Sequence, residues 1–279
     1  MSTGGFLVTT DLENAGNVPQ NRRSERQRAI TVAVMAEGSI RIEQLAARFD
    51  ISIMTVHRDL DELDGRGVIR KSRGMATAMS TALVESSDLY RSSRQLGEKE
   101  SIAHAALEFI EPGQAIMLDD STTTAHLVPH LRTKRPLTVI TNTLTVMEQL
   151  RGTNGVTLLG LGGQYHNWCS AFMGHITTTA IKAMRADLLI MSTAAITDDM
   201  VFHQTLDTVD VKQAMFESST RRILLADHTK FGKRALHALM PLTDFDAVVV
   251  DGETDPTHIA RLRAKGVTVV VARRPPSTR

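Results

Sequence analysis

Residues 26–73 contain the pattern that most constrains the fold: two helices joined by a very short turn, then a basic hairpin. Ser52 is a favourable N-cap for the second helix, because its hydroxyl can accept a free backbone N–H of the first turn. The apolar residues of this helix recur at helical spacing and predict a buried stripe; they are Ile53, Val56, Leu60 and Leu63. Polar side chains fill the other side, so we expect one face to pack on a small core and the other to meet a partner.

A further helix precedes this pair and completes a small three-helix unit. Apolar residues at helical spacing predict this first helix at residues 22–38 and the next at residues 42–49. Between them, the alternation at Ile40 and Ile42 fits either a short strand or the entry to the next helix. After the third helix, residues 68–74 fit one arm of a basic hairpin.

The polar side of the third helix suits double-stranded DNA. A helix fits the major groove, where the residues of its first turns meet base edges. Basic residues of the hairpin suit the phosphate backbone, which sets affinity and register more than sequence choice. The predicted DNA contacts are Ser52, Met54, Thr55, His57, Arg58, Arg70, Lys71 and Arg73. The alternative is a protein-interaction domain with solvated charges, but three helices and a basic hairpin in this order favour DNA.

Length and composition limit what the rest of the chain can be. A chain of 279 residues favours two domains, and 42% hydrophobic residues fit a globular protein with a real core. Cys169 is the only cysteine, which excludes an intrachain disulfide and favours a reducing compartment. We recognise no secretory signal and no apolar run of membrane length, so we expect a cytoplasmic protein without membrane contacts.

Changes of pattern along the chain predict its domain order. Residues 1–21 lack periodicity and are predicted to be a disordered tail, and residues 22–76 form the winged unit. Residues 77–97 are rich in Ser, Thr, Ala and Arg and are assigned to a linker. From 98 to 272, helices alternate with short apolar runs, which predicts an α/β domain with a largely parallel sheet. Residues 273–279 form a second tail.

Polar or glycine-rich loops follow three successive strands of the predicted sheet. Residues 119–124 precede a helix predicted at residues 123–132, an arrangement that offers hydroxyls and backbone N–H groups to a phosphate. Asp119 repels a phosphate, so we expect it to hold a sugar hydroxyl or to orient the loop. In parallel sheets, ligands bind at the carboxyl ends of the strands. The candidate ligand residues are Asp119, Ser121, Thr122, Thr123, Thr124, Asn142, Gly162, Gly163, Lys212, Asp227 and Lys230.

Each of these residues also has an ordinary structural interpretation. Ser and Thr after a strand are common N-caps, Gly162 and Gly163 can form a tight turn, Asp227 can cap a helix, and Lys212 can be a solvated charge. Their joint placement after successive strands favours a ligand site. No metal-binding motif is matched by the spacing of His166, His175, His203 and His228. We therefore predict neither a metal nor a cofactor.

Two sets of residues match the pattern of a known family. In the N-terminal unit they are residues 26–30, 38–40, 43–46, 49, 51–52, 55–56, 58–60, 63 and 67–70. In the C-terminal domain they are residues 98–100, 112–113, 119, 121–124, 137–142, 161–163, 211–215 and 225–232. On these residues the chain resembles the DeoR family of bacterial transcription regulators. It departs from the family's usual pattern at His57, at residues 73–76 and at residues 191–195.

The resemblance implies both a fold and a function. The implied fold is a winged helix-turn-helix followed by an α/β sensor domain similar to ribose-5-phosphate isomerase. Members of the family bind phosphorylated sugars or polyols in that domain and change their grip on DNA. Effector contacts are then implied at Ser121, Thr122, Thr123, Thr124, Asn142, Gly163, Lys212 and Lys230.

These observations lead us to expect a transcription regulator that is not an enzyme. We expect it to repress genes of sugar or polyol catabolism, bound to operator DNA as a homo-oligomer, either a dimer or a tetramer. The alternative is a sugar-phosphate isomerase with a DNA-binding appendage. Such an enzyme needs a general base beside the substrate carbon, and Asp119, Asp120 and Asp227 are the candidates.

Overall fold

The computed structural model describes residues 17–78 and 88–273, and the chain divides into two units, residues 1–79 and residues 80–279. The elements described in the first unit are α1 (Asn17–Glu37), β1 (Ser39–Arg41), α2 (Ile42–Phe49), α3 (Ile53–Gly65), β2 (Ile69–Ser72) and β3 (Met75–Ala78). The three strands form an antiparallel sheet in the order β1-β3-β2. This is the architecture of a winged helix-turn-helix, in which β2 and β3 are the wing.

Apolar side chains from the helices and strands of the first unit are buried. They include Ile30, Val34, Leu45, Val56, Leu60, Leu63, Ile69 and Ala76. Ile40 lies in a short strand, opposite Ala76, which decides between the two interpretations of that segment. The predicted apolar stripe of α3 is wrong at Ile53, whose side chain is 49% exposed. The first turn of α3 is therefore not covered by the core.

The second unit alternates strands and helices. Its elements are α4 (Asp88–Ser92), α5 (Leu96–Ala106), β4 (Ala115–Leu118), α6 (Thr122–Ala125), β5 (Leu137–Thr141), α7 (Leu144–Leu150), β6 (Val156–Gly160), β7 (Gln164–His166), β8 (Ala171–Met173), α8 (His175–Lys182), β9 (Ala186–Ser192), β10 (Ala195–Thr197), β11 (Met200–His203), α9 (Leu206–Glu217), β12 (Ser219–Ala226), β13 (His237–Pro241), β14 (Ala247–Val250), α10 (Pro256–Ala264) and β15 (Val269–Val271). Short 3-10 helices lie at Leu107–Phe109, Val128–Lys134, His228–Gly232 and Leu242–Asp244.

Seven parallel strands form the main sheet of this unit, in the order β15-β14-β12-β9-β4-β5-β6. From β4 the chain proceeds through β5 to β6 at one edge, and from β9 it proceeds through β12 and β14 to the other edge. The direction of strand addition therefore reverses between β4 and β9. A ligand crevice is expected outside the carboxyl ends of the strands at such a switch point. The loops that follow these two strands begin at Asp119 and Thr193.

Both faces of the central strands of the main sheet are buried, as in a parallel sheet covered by helices. Successive residues of β9 alternate between two apolar clusters, with Leu189 in one and Ile190 in the other. Cys169 lies in the first cluster and is 1% exposed. Burial raises the pKa of its thiol, so this cysteine is a packed apolar residue and not a reactive one.

Several predicted boundaries differ from the described structure. Helix α1 begins at Asn17, inside the predicted tail of residues 1–21, whose earlier residues lie outside the described part of the chain. The predicted linker, residues 77–97, contributes its first residues to β3 and its last residues to α4 and α5. Asp88 donates its N–H to the Trp168 carbonyl at 2.9 Å, so α4 is attached to the rest of the second unit and is not part of a linker. Residues 79–87 of that linker and residues 274–279 of the C-terminal tail are not described.

Two features of the second unit differ from the pattern predicted by the sequence. The helix predicted at residues 123–132 is only four residues long, because α6 ends at Ala125 and a 3-10 helix begins at Val128. Pro129 lies in the first turn of that 3-10 helix and cannot donate an N–H to a continuing α-helix. No pattern in the sequence predicts five of the short strands. Of these, β7 and β8 form a hairpin, and β10, β11 and β13 form a small antiparallel sheet separate from the main one.

Candidate functional site

The first turn of α3 is capped by Ser52 and exposed to solvent. Ser52 Oγ accepts a hydrogen bond from the Thr55 N–H at 3.2 Å, which is the predicted N-cap bond. Ile53 and Met54 are 49% and 65% exposed, and Arg58 is exposed one turn further along. Apolar side chains and a guanidinium at one helix end can contact thymine methyls and guanine edges in a major groove. Ile53 is absent from the predicted contacts because its apolar character assigned it to the core.

A buried carboxylate fixes α3 against α1. Asp59 is 1% exposed, and its Oδ2 and Oδ1 accept hydrogen bonds from Arg26 Nε at 2.6 Å and Nη2 at 3.2 Å. Gln27 Nε2 donates to Asp59 Oδ1 at 3.3 Å and to Glu62 Oε2 at 2.9 Å. The hydrogen bond to Asp59 raises the pKa of Arg26, which keeps the guanidinium charged. Asp59 therefore orients α3 from its buried side, next to the exposed Arg58.

The wing presents two of its three predicted basic contacts to solvent. Arg70 and Arg73 are exposed. Arg73 and Gly74 have φ values of 48° and 77° and form the two-residue turn of the hairpin, which is a type I′ turn. Lys71 is different, because its ammonium pairs with Asp61 and lies 3.5 Å from the His57 carbonyl. Lys71 therefore ties the wing to α3, and its charge is partly compensated within the unit.

At the switch point of the main sheet, Asp119 is surrounded by donors from its own chain. Its Oδ1 accepts hydrogen bonds from Ser121 N at 3.2 Å and Thr124 Oγ1 at 2.9 Å. Its Oδ2 accepts one from Ser192 N at 2.9 Å and another from the Lys212 ammonium. Asp119 thus joins the loops after β4 and β9. Of the two predicted roles, this geometry is that of a carboxylate that orients the loop.

Lys212 is buried between two carboxylates. Its side chain is 2% exposed, and Nζ pairs with Asp119 and lies 3.2 Å from Asp120 Oδ1. Burial opposes the charge, but Asp119 and Asp120 outweigh it and raise the pKa of Lys212. Burial likewise opposes ionisation of Asp120, and Lys212 outweighs it, so the pKa of Asp120 lies below its usual range. Lys212 is therefore not a solvated charge, and its ammonium is largely neutralised by Asp119 and Asp120.

The hydroxyls of the loop after β4 divide into structural and available groups. Ser121 Oγ accepts from Thr124 N at 3.1 Å, and Thr124 Oγ1 donates into the loop, so both brace the turn. Thr123 is 2% exposed. Thr122 is half-buried, and its Oγ1 accepts a hydrogen bond from Lys99 Nζ at 3.0 Å. Because α6 has only four residues, side-chain cations and not a helix dipole must provide most of the attraction for an anion.

Asn142, Gly162 and Gly163 lie beside one another at the ends of β5 and β6. The Leu161 N–H donates to the Thr141 carbonyl at 2.8 Å, which brings the two loops together. The Asn142 side chain is fully buried, and its Nδ2 donates to the Phe172 carbonyl at 2.9 Å. A Cβ at Gly163 would lie 2.1 Å from Thr177 Oγ1, so only glycine fits this close approach of the loop to α8. Gly163 therefore has a packing role against α8, which is separate from both the predicted tight turn and the predicted ligand contact.

A basic hollow lies at the end of β12, beside Lys99 and Thr122. The charged side chains that line it are Arg91, Arg94, Lys99, Asp227, Lys230 and Lys233. Asp227 caps the following 3-10 helix, because its Oδ1 accepts the Thr229 N–H at 3.1 Å. Burial opposes its ionisation, but Lys230 and Thr229 outweigh that effect and lower the pKa of Asp227. Only Asp227 and Lys230 of this set were predicted from the sequence.

Three buried polar atoms at this end of the sheet have no hydrogen-bond partner among the described residues. They are Asp120 Oδ2, Asn142 Oδ1 and His203 Nδ1. Burial and then the nearby Lys212 lower the pKa of His203 to about 3, so its imidazole is neutral at neutral pH. Buried polar atoms without a partner are unfavourable, and the hydroxyls of a polyol supply the donors that such acceptors need.

The described residues, 17–78 and 88–273, contain neither a metal-binding cluster nor a helix able to span a membrane. Within these ranges no group of three or more His, Cys, Asp or Glu is placed to hold a metal ion. None of the helices described there is both long enough and apolar enough to span a bilayer.

Comparison with known families agrees with both units. A DeoR C-terminal sensor domain matches residues 94–252, which is more than half of the chain. The chain belongs to the DeoR family. A DeoR-like helix-turn-helix domain matches residues 26–82. The resemblance inferred from the sequence is thus confirmed, as is the predicted fold class of a winged helix-turn-helix followed by an α/β sensor domain.

Curated relatives from the DeoR family carry the names of repressors. The chain is 31% identical over 236 residues to the transcriptional repressor AccR of Agrobacterium fabrum, covering 84% of this chain and 92% of that protein. It is 31% identical to the lactose phosphotransferase system repressor of Staphylococcus aureus, covering 84% and 94% of the two chains. It is 28% identical to a putative aga operon transcriptional repressor of Escherichia coli O157:H7, covering 89% and 93%.

The solved structures that the chain resembles are more distant. Ribose-5-phosphate isomerase of Plasmodium falciparum has a TM-score of 0.35 at 14% identity, covering 48% of this chain and 52% of that one. Translation initiation factor eIF-2B of Pyrococcus horikoshii has a TM-score of 0.43 at 13% identity, covering 82% and 88%. Nothing about the site is inferred from these two structures.

One departure from the usual DeoR sequence lies at the switch point. Ser192 donates its N–H to Asp119, and its carbonyl accepts a hydrogen bond from Lys212 Nζ at 3.1 Å. Thr193 Oγ1 donates to the Phe202 carbonyl at 2.8 Å. Residues 191–195, where the family is usually rich in glycine, are therefore built into the wall of the site in this DeoR protein.

Proposed function

We propose that this DeoR-family regulator represses genes of sugar or polyol catabolism. Its winged helix-turn-helix binds double-stranded operator DNA, and a phosphorylated sugar or polyol binds the C-terminal domain and changes that affinity. One observation carries the proposal: the same chain has an exposed helix end with a basic side chain, Arg58, and, in its other unit, a basic hollow at the carboxyl end of strand β12 of a parallel sheet. We further propose that it acts as a homo-oligomer, whose winged units bind operator half-sites.

The DNA contacts proposed are those that remain available on the surface. The first turn of α3 supplies Met54 and Arg58, with Ile53 added by its exposure. Arg70 and Arg73 supply phosphate contacts from the wing. Ser52, Thr55, His57 and Lys71 complete the predicted interface, although Ser52 and Lys71 also have partners within the unit.

The effector contacts proposed lie at the carboxyl end of the sheet. Lys230 lines the basic hollow and Thr122 borders it through Lys99, so both are proposed to contact a phosphate, and Asn142 Oδ1 can accept a hydrogen bond from a sugar hydroxyl. The remaining predicted residues shape the crevice around them; they are Asp119, Ser121, Thr123, Thr124, Gly162, Gly163, Lys212 and Asp227. An effector acts on DNA affinity only if it binds one arrangement of the protein more tightly than another.

Regulation is favoured over isomerase activity by the state of the candidate bases. A general base works best when its pKa lies near the operating pH. The pKa values of Asp120 and Asp227 are lowered, and Asp119 has a donor at each oxygen. Asp120 and Asp227 are therefore held as anions with poor basicity, and both oxygens of Asp119 are already occupied by hydrogen bonds. We accordingly propose that the protein is not an enzyme and requires no cofactor.

One experiment separates the two functions. Purified protein is incubated with a panel of pentose, hexose and polyol phosphates, and each mixture is divided between a product assay and an operator-binding assay by fluorescence anisotropy. We expect at least one compound to change operator affinity without being converted. Turnover that disappears in Asp120→Asn or Asp227→Asn variants would contradict the proposal and support the isomerase.

A further inference from the structure

His203 is a buried histidine beside the switch point of the main sheet. It is the last residue of β11, and the carbonyl of the preceding Phe202 accepts a hydrogen bond from Thr193 Oγ1 at 2.8 Å, which attaches this strand to the loop after β9. The His203 side chain is 3% exposed, and its Nδ1 has no hydrogen-bond partner among the described residues. A buried polar atom of this kind is unfavourable until another group pairs with it.

Two unpartnered acceptors lie at the neighbouring strand ends. Leu118 of β4 is opposite Thr141 of β5, so Asp120 and Asn142 follow adjacent strands at the same edge of the sheet. Asp120 is 5% exposed and Asn142 is fully buried. One oxygen of each, Asp120 Oδ2 and Asn142 Oδ1, has no hydrogen-bond partner in the described part of the chain. Because Asn142 Nδ2 donates to the Phe172 carbonyl, the orientation of the amide is fixed and its Oδ1 can only accept.

Asp120 and His203 are neighbours in space. Both lie beside Lys212, whose Nζ is 3.2 Å from Asp120 Oδ1. After burial, Lys212 is the strongest influence on the pKa of each group, and each group also acts on the pKa of the other. Such mutual effects require a short separation. The loop after β4 and the end of β11 therefore bring two unpartnered polar atoms into one cluster.

An uncharged hydroxyl is the ligand group that suits this cluster. Burial opposes ionisation of Asp120, but Lys212 outweighs it and lowers the pKa to about 2, so the carboxylate repels an acidic group on a ligand. Burial and then Lys212 lower the pKa of His203 to about 3, so a positive charge is disfavoured here as well. A hydroxyl donates to a carboxylate oxygen, and it either donates to or accepts from a neutral imidazole nitrogen according to the tautomer.

We propose that Asp120 and His203 bind hydroxyl groups of the effector and make the sensor domain select a hydroxylated, uncharged sugar or polyol end over a deoxygenated or acidic one. This inference rests on the proposed function, because it concerns the ligand of the same sensor domain. It adds Asp120 and His203 to the effector contacts. It also gives the ligand a direction, with its hydroxyls at the ends of β4 and β11 and its phosphate towards Thr122 and Lys230.

The first test compares ligands that differ in one group, by isothermal titration calorimetry on the full chain at fixed pH and ionic strength. Glucose 6-phosphate is compared with its 2-, 3- and 4-deoxy derivatives and with 6-phosphogluconate, and ribose 5-phosphate is compared with 2-deoxyribose 5-phosphate. We expect at least one deoxy derivative to bind at least about tenfold more weakly than its parent, and 6-phosphogluconate to bind more weakly than glucose 6-phosphate. Equal affinities of parents and deoxy derivatives, a 6-phosphogluconate that binds as tightly as glucose 6-phosphate, or no binding by either parent would overturn the inference.

Variants at His203 separate specificity from folding. His203→Leu removes the nitrogen at similar volume and should weaken binding of the hydroxylated parent by about tenfold, whereas the deoxy derivative and inorganic phosphate should bind nearly as before. His203→Asn places a polar atom near the position of Nδ1 and should recover part of the preference. His104→Leu, at an exposed position on α5, is the control and should change none of these affinities. An equal loss for all ligands, inorganic phosphate included, in both His203 variants would indicate a purely structural role and overturn the inference.

Failure of this inference and failure of the proposed function give different results. A deoxy derivative that binds as tightly as its parent and still changes operator affinity would refute the role of Asp120 and His203 while leaving the proposed function intact. A preference for the hydroxylated ligand that is lost in His203→Leu, with operator affinity unchanged by every ligand, would support this inference and contradict the proposed regulation.

Discussion

At the scale of single residues, neighbouring positions on α3 have opposite environments because a helix rotates each side chain by roughly 100°. Arg58 is exposed, whereas Asp59 is 1% exposed and Leu60 is fully buried. The triplet Arg-Asp-Leu that matches the family therefore combines a DNA contact, an internal ion pair and a core residue. These roles lead to different expectations for substitutions one position apart.

Arg58→Ala should weaken operator binding by about 1–3 kcal/mol if the guanidinium makes a bidentate contact with a base. It should leave the free energy of unfolding nearly unchanged, since the side chain is exposed. Fluorescence anisotropy with operator DNA measures the first effect, and Arg151→Ala, an exposed change in the second unit, is the control. Unchanged operator affinity would remove Arg58 from the interface.

Asp59→Ala should destabilise the first unit by about 2 kcal/mol. This is less than the 3–5 kcal/mol lost when a fully buried pair is broken, because the Arg26 side chain is 27% exposed. Hydrogen exchange of backbone amides in α1 and α3 measures the loss within the full chain. Asp61→Ala, which breaks a pair whose carboxylate is 65% exposed, should cost less than about 1 kcal/mol. Similar losses in both variants would refute the assigned role of Asp59.

Anion binding at Lys99 should weaken as the pH rises. The pKa of Lys99 in the folded protein is about 7, below its ordinary 10.5, so its ammonium loses the proton as the pH rises through about 7, whereas Asp227, whose pKa is lowered, stays anionic. Sulfate is the suitable probe because its charge is constant between about pH 6 and pH 9. We expect calorimetry to show that sulfate binds more tightly below pH 7 than above it, with proton uptake on binding near pH 7. The Lys99→Gln variant should lose this pH dependence. The stability of the ligand-free protein has the opposite pH dependence. Its free energy of unfolding should rise between about pH 7 and 10.5, because in this range only the unfolded state keeps the proton on Lys99.

At the scale of elements, the wing hairpin has a residue that its turn does not favour. A type I′ turn needs positive φ at both central positions, where Asn and Gly are preferred, and here the first is Arg73 at 48°. A side chain in the left-handed region is unfavourable by about 1 kcal/mol or more. Arg73 adds a positive charge at the tip of the wing, which suits contact with DNA phosphates.

Arg73→Gly should raise the stability of the first unit by up to about 1 kcal/mol, because glycine adopts positive φ without strain. Arg73→Gln removes the same charge but keeps the strain, and it serves as the matched control. Both variants should reduce the salt dependence of operator binding by about one unit of slope. Thermal unfolding and anisotropy at several salt concentrations give the two readouts. A glycine variant no more stable than the glutamine variant would contradict the account of the turn.

Elements that are buried on both sides are the ones that the sequence predicts well. The central strands β4, β9, β12 and β14 read as apolar runs because each faces helices on both sides. Three-residue strands such as β7 and β10 contain too few positions to show a period. The helix predicted at residues 123–132 is longer than α6, because its residue spacing takes no account of Pro129, which cannot continue an α-helix.

Only part of the candidate effector site could be predicted from the sequence, because only some of its residues directly follow strands that the sequence predicts. Residues that directly follow predicted strands, such as Asp119 and Asn142, can be placed at the sheet edge from topology alone. Arg91 and Arg94 cannot, because they lie in a segment that reads as linker and their charges look solvated. Only the tertiary fold brings them beside Lys230, 136–139 positions away in the chain. The bracing role of Lys212 is likewise visible only once both carboxylates are in place.

At the scale of the whole molecule, the central claim is that ligand binding in one unit changes DNA binding by the other. The units are joined through residues 79–87, and the first described element beyond them, α4, leads directly to Arg91 and Arg94 at the basic hollow. A ligand that contacts these side chains would act on the segment nearest in sequence to the winged unit. Thermodynamic linkage then gives a strict condition, since the coupling between two binding sites must be equal in both directions.

The most direct test measures both sides of that coupling. Operator affinity is determined with and without a saturating effector found in the ligand screen, and effector affinity is determined with and without saturating operator. We predict the same factor in both directions, roughly 5–150-fold as for typical allosteric couplings, and a loss of response in Thr122→Val at unchanged operator affinity without effector. Effector binding that leaves operator affinity unchanged would contradict the account, because the two units would then work independently.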